Sequence, residues 1–240
     1  MGRGGGWDRR AHAPAAPTLP HHPATPSQIY ICRSGSAADT QNIAAHATWY
    51  LEAHAVELGR APRVPAAARL LSQMTYANKD ALQAGLIVAG WDGVDGGQVY
   101  AVPLGGTVVK VWGVPGRPGV CLGLGRGAHA CPAACAHLSH AHPPRPCQVP
   151  FAVGGSGSAY VTGLCDKLWR PGMTRDECVA FVRRVVAHAV ARDGSSGGCI
   201  RTVAITKDGA DRQFVAGDAV PPTFGDLAPP ARGPAPIAVD

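Results

Sequence analysis

The strongest constraint on how this chain folds is a long helix that runs, with almost no slack, into a strand. Thr174-Arg175-Asp176-Glu177 has the form of a capping box. In such a box the Thr hydroxyl and the Glu carboxylate each satisfy a backbone N–H left without a partner at the helix start. From there Cys178, Val182, Val185, Val186 and Ala189 recur at helical spacing, which predicts one buried face. Arg192-Asp193-Gly194-Ser195-Ser196-Gly197-Gly198 closes that pattern. The run from Cys199 to Thr206 is β-rich, and Lys207-Asp208-Gly209 turns it back. The junction therefore presents small polar groups and bare backbone at the end of a sheet. Taken locally, it is a tight turn in which Ser and Asp act as caps.

The chain has 240 residues, enough for one large domain or two small ones with a real core. No run reaches the apolar length of a membrane span, and no apolar signal core follows the first arginines. The sequence thus reads as soluble and intracellular, with no membrane partner, and its eight cysteines need not form disulfides. The net charge of +6 would suit nucleic acid, but its distribution does not. Residues 1–28 carry +2 and residues 111–149 carry +3 with no acid, leaving +1 for all the rest. Basicity confined to two unusual segments predicts no nucleic-acid partner.

Those segments differ in kind from the remainder. Residues 1–28 are built of Gly, Ala, His, Arg and Pro, with Pro14, Pro17, Pro20, Pro23 and Pro26 at every third place. That spacing suits an extended polyproline segment and excludes a helix or a central strand, so a disordered leader is expected. From Ile29 the character changes. Ile29–Cys32 reads as a buried strand end, and a helix is expected from about Ala37 to Leu58, with Gly59 as its stop. Pro65 opens a second helix carrying Leu70, Leu71, Met74 and Tyr76. Leu86–Gly90 is a short apolar strand, residues 91–97 have hairpin chemistry, and Gln98–Val102 returns. Helices in pairs and strands in hairpins predict an α+β layered domain rather than alternating βαβ units.

Several stretches, in this order, carry a resemblance. They are Cys32-Arg33-Ser34-Gly35-Ser36-Ala37-Ala38-Asp39-Thr40-Gln41, Ile87-Val88-Ala89-Gly90-Trp91-Asp92, Gly96-Gly97-Gln98-Val99-Tyr100, Gly154-Gly155-Ser156-Gly157-Ser158 and Asp193-Gly194-Ser195-Ser196-Gly197-Gly198. The set resembles β-type proteasome subunits over residues 29–110 and 150–220, and the Cys-Arg-Ser-Gly-Ser wording resembles those with caspase-like specificity. The resemblance implies a four-layer αββα sandwich of the N-terminal-nucleophile hydrolases and threonine-type endopeptidase activity after acidic residues. It implies as partners other α- and β-type subunits in heptameric rings and unfolded polypeptide substrates, no cofactor and no metal, in cytoplasm and nucleus. The nucleophile would be the hydroxyl of an N-terminal Thr with its own amine as base, since an alcohol needs an adjacent base to attack a carbonyl. By the same resemblance Gly35 supplies the backbone N–H for the oxyanion, while Ser156, Asp193 and Ser196 support the Thr. Arg33, with Ala37, belongs to the substrate pocket, where a guanidinium favours an acidic side chain.

Two departures qualify this. The stretch from Met1 to Gln28 contains no Gly-Thr pair and no lysine, the first lysine being Lys79. The catalytic Thr, its Lys and the leading strands of the sandwich are therefore expected to be missing, leaving apolar surface uncovered. Residues 111–149 interrupt the resemblance with Cys121, Cys131, Cys135 and Cys147 among His129, His137, His140 and His142. Cys and His at such spacing suit zinc, but irregular spacing, many Gly and Pro and the absence of apolar periodicity point to a disordered insertion instead. Both segments read as translated non-coding sequence, and Pro221 to Asp240 reads as an extended C-terminal arm. Three readings stay open: a threonine-protease β subunit, a non-catalytic ring component, and a Cys/His metal-binding interaction protein.

Overall fold

The computed structural model describes residues 28–111, 120–123 and 150–221. The Cys131, Cys135 and His137 cluster lies outside them, as do residues 1–27 and the arm beyond Pro221. Among the described residues no helix is long and apolar enough to cross a membrane, and no group of ligand side chains could hold a metal ion.

Four strands form an antiparallel sheet in chain order: β1 (Gln28–Gly35), β2 (Ala84–Asp92), β3 (Gly96–Val102) and β4 (Val109–Val111). Its side chains alternate between two cores, as the period of two along a strand requires. On one face Ile29, Ile31, Leu86, Val88, Tyr100 and Val102 pack against helices α1 (Ala37–Leu58) and α2 (Val64–Ala77), which contribute Ile43, Ala47, Ala67 and Leu71. On the other face Cys32, Ile87, Val99 and Val111 meet Ala152. Ala152 belongs to β6 (Phe151–Gly154), whose neighbour Phe151 points the opposite way. It joins Val161 and Cys165 of α3 (Ser158–Leu168) and Phe181, Val185 and Ala189 of α4 (Arg175–Arg192). The hairpin β7 (Ile200–Thr206) and β8 (Gly209–Val215) is a two-stranded sheet of its own, with β7 packed against α4 and against β2 of the first sheet. The mix of helices and sheets is the α+β layered domain expected from the residues, and it is consistent with the four-layer sandwich that the resemblance implies. The two sheet sides are also joined at the rim, where the Arg212 guanidinium donates to the Tyr30 hydroxyl at 3.1 Å.

The element boundaries have local causes. Ser36 caps α1 by accepting from the Asp39 N–H, and Gly59 ends it in the left-handed conformation, φ 63°. The capping box of α4 is present with both its hydrogen bonds. Strands β1, β2 and β3 are each longer than their apolar runs suggest. β1 continues through Arg33, Ser34 and Gly35 because Gly35 pairs with Ala84, and it is half-buried rather than a buried end. A further difference is β5 (Val120–Gly123), which pairs in parallel with β6 inside the 111–149 stretch. Four residues are too few to register as a period, so no sequence signal marks this strand.

Helix α2 takes its cap from a distant strand. Arg63 at its N-cap makes no side-chain capping hydrogen bond, its guanidinium pairing with Asp95 instead, and the Val64 N–H donates to the Asp92 carboxylate at 3.2 Å. Asp92 also accepts from the N–H groups of Val94 and Asp95 and from the Gln98 amide at 2.7 Å. Burial by itself would raise its pKa, but the Asp95 N–H, the Gln98 amide and the Val94 and Val64 N–H groups together hold it below the ordinary value. Asp92→Ala would leave several buried donors without an acceptor, so a loss of about 2–4 kcal/mol is expected in urea denaturation of the full chain. An unchanged midpoint would show that the hairpin and α2 do not depend on this carboxylate.

Candidate functional site

The Asp193 turn follows from the helix that leads into it. Asp193 is the C-cap of α4, and its N–H still donates to the Ala189 carbonyl, so the helix fixes where the carboxylate starts. Its Oδ2 accepts from the hydroxyls of Ser156 and Ser196, each at 2.6 Å, and Oδ1 accepts from the Ser195 N–H at 3.1 Å. Those partners set its acidity. The Ser156 and then the Ser196 hydrogen bond hold the carboxyl below the ordinary range, against a smaller opposing effect of burial. Asp193 and Ser196 are buried, at 7% and 9% exposure. Ser156 arrives on the loop before α3, where a Cβ at Gly157 would lie 3.0 Å from Ser196 Oγ and 3.4 Å from Asp193 Oδ2. The glycine therefore lets the two loops close on one another.

On the facing side, the end of β1 turns into α1 through Gly35 and Ser36. Gly35 has φ 106°, and a Cβ there would sit 2.1 Å from the Gln83 carbonyl oxygen. The Ser36 N–H donates to that same oxygen at 2.8 Å, and the Gln83 N–H donates to Asp39 at 3.1 Å. Thr40 ties the turn down from inside the helix by donating to the Ser36 carbonyl at 2.9 Å. The backbone at Gly35 is thus held in one position by neighbours on both sides.

Between these two built edges lies a cavity of about 680 Å³. Arg33, Gly35 and Ala37 line it from β1 and α1, and Ser196 lines it from the Asp193 turn. Four of the six site residues expected from sequence therefore share one cavity, while Asp193 and Ser156 stand behind Ser196, in hydrogen-bond contact with it or with one another. Sequence reasoning did not single out Thr40, Gln41, Cys199 and Arg201 as site residues, yet all four line the same space. For Arg201 a signal was available: it sits between Ile200 and Thr202, both buried, so the strand period turns it outward. Among the described residues that line the cavity none is acidic, and two are arginines. Cys32 and Cys199 also line it, and among the described residues neither is in a disulfide.

The sequence that builds this layered domain is similar to those of known proteins. The family model described as "Proteasome subunit" matches residues 26–117 and 146–205. Proteasome subunit beta type-6 of Dictyostelium discoideum is 42% identical over 194 residues, which are 81% of this chain and 73% of that protein. Proteasome subunit beta type-6 of Arabidopsis thaliana is 36% identical over 219 residues, 88% of this chain and 78% of that one. Proteasome subunit beta type-9 of Rattus norvegicus is 37% identical over 199 residues, covering 83% and 73%. The chain belongs to the proteasome subunit family, with the N-terminal-nucleophile hydrolase fold, and its relatives are β-type subunits of the core. Membership implies assembly with other proteasome subunits.

Proposed function

We propose that this chain takes a β-type position in the heptameric rings of the 20S core, in cytoplasm and nucleus, and that its cavity receives an acidic side chain of an unfolded polypeptide. The observation that carries the reading is the placement of Arg33 on a cavity wall whose described residues include no acid. A carboxylate entering there meets a planar, permanently charged donor, and in a partly desolvated site such a contact is strong. In a threonine-type peptidase site the remaining work is positional. The Gly35 backbone N–H would face the developing oxyanion, and Ser156, Asp193 and Ser196 would hold the polar environment of the attacking amine and hydroxyl.

The test separates pocket from chemistry. With capped peptides that differ only in Glu or Gln, the full chain is expected to prefer Glu. Arg33→Gln should abolish the preference, because a charge-assisted contact of about 1.5–3 kcal/mol is lost. Equal Glu and Gln affinity in the unmutated chain would refute the assignment.

A second reading has an observation of its own. Residues 1–28 hold no Gly-Thr pair and no lysine, which favours a ring component that binds without cleaving. The 240-residue polypeptide by itself is then expected to show no turnover of fluorogenic peptides ending in Glu. Turnover sensitive to threonine-directed inhibitors would overturn this reading and leave the peptidase reading standing.

A further inference from the structure

We propose that Arg201 is a second anion-reading residue of the cavity, so that the site selects peptides carrying two acidic side chains over peptides carrying one. This rests on the acid-reading role given to Arg33 and extends it. Arg201 belongs to β7, the strand after the Asp193 turn, and Arg33 to β1, so two arginines from different sheets line one cavity. Arg201 lies over the ring of Phe214, its partner in the β7–β8 ladder, at 5.8 Å from the centroid. A ring attracts a nearby cation without taking up its N–H groups, which stay available to an acceptor.

Neither arginine is in an ion pair among the described residues. Asp193 does not serve as their counter-ion, because both serine hydroxyls and a backbone N–H already occupy it. Apart from the two arginines, none of the described residues that line the cavity is charged. A ligand with a single carboxylate therefore neutralises one wall and leaves a positive charge on the other. A second carboxylate on the same peptide removes that imbalance, and nothing along the wall opposes it.

Competition binding to the full chain tests this, using capped peptides with one Glu, with a second Glu at each flanking position, and with Gln in place of either. At low ionic strength the best two-Glu peptide is expected to bind about three- to fivefold tighter than the one-Glu peptide, the scale of one added, partly solvated ion pair. Arg201→Gln should remove that advantage and leave the one-Glu affinity within about twofold. Arg201→Lys, which keeps the charge, should retain part of it. A two-Glu advantage that persists in Arg201→Gln overturns the proposal. If Arg201→Gln does not fold, a salt series on the unmutated chain decides, since an advantage indifferent to salt overturns it as well. Failure of the Arg33 reading looks different: one-Glu and Gln peptides would bind the unmutated chain equally, whatever Arg201 does. Absence of any peptide binding counts against Arg33 and therefore against both.

Discussion

Gly35→Ala should destabilise the chain by about 3–5 kcal/mol, near the upper end of what single substitutions do. Two costs act together there. The first is conformational: at φ 106° an L side chain is strained wherever it sits, and the residue cannot relax without leaving its pairing with Ala84. The second is steric, because the new Cβ would lie 2.1 Å from the Gln83 oxygen and 2.9 Å from its carbonyl carbon. That oxygen is the acceptor for Ser36, so moving it away breaks the hydrogen bond that starts α1. Gly59→Ala is the matched control. Its φ of 63° is also left-handed, but a Cβ there would meet nothing within 4 Å, so only about 1 kcal/mol is expected. Urea midpoints of the two variants should therefore differ clearly. Equal midpoints would mean that the Gly35–Gln83 contact does not hold the edge of the cavity.

Asp193→Ala is expected to cost about 2–4 kcal/mol, since it removes a carboxylate that accepts three hydrogen bonds from groups packed around it. Asp193→Asn should cost less, because one amide oxygen can still accept. The pH dependence has a definite sign. The folded-state pKa lies below the ordinary carboxylate value of 3.8. The unfolded chain thus binds the proton more readily, and stability from this group is fully present above that ordinary value. It is lost as pH falls through the depressed folded value. Asp92 has the same sign and adds to the slope. The unmutated chain should therefore lose stability on the acid side of pH 3.8, and Asp193→Asn should lose it less steeply. Parallel acid-side slopes in the two proteins would show that the serine hydroxyls do not favour the charged form.

Much of this architecture was legible in the residues. The capping box Thr174–Glu177, the glycine stop at Gly59 and the hairpin at residues 91–97 each specify a local backbone choice, and each element appears where its signal lies. The alternation of β2 was harder to read. Leu86, Ile87 and Val88 are all buried because the sheet is covered on both faces, so the run carries no polar partner to mark its period. Strand β5 had no signal at all, and its pairing with β6 is a tertiary choice. At the site, the Asp193 turn was legible from its own small polar residues in a short stretch, whereas Gly35 was singled out through the resemblance of the Cys32–Gln41 stretch. The convergence of Arg33 with Arg201 was not, since it depends on two sheets meeting across 168 positions of chain. The same holds for the Asp92 cap of α2, where acceptor and helix start are far apart in sequence.

The most direct measurement is a cryo-electron microscopy structure of core particles isolated through a tag on the full chain. The chain is expected to sit in a β ring, to contact neighbouring β-type and α-type subunits, and to turn the cavity lined by Arg33, Gly35 and Ser196 toward the central chamber. A chain that stays out of such particles, or one that enters a ring with that cavity buried against a neighbour, would contradict that expectation.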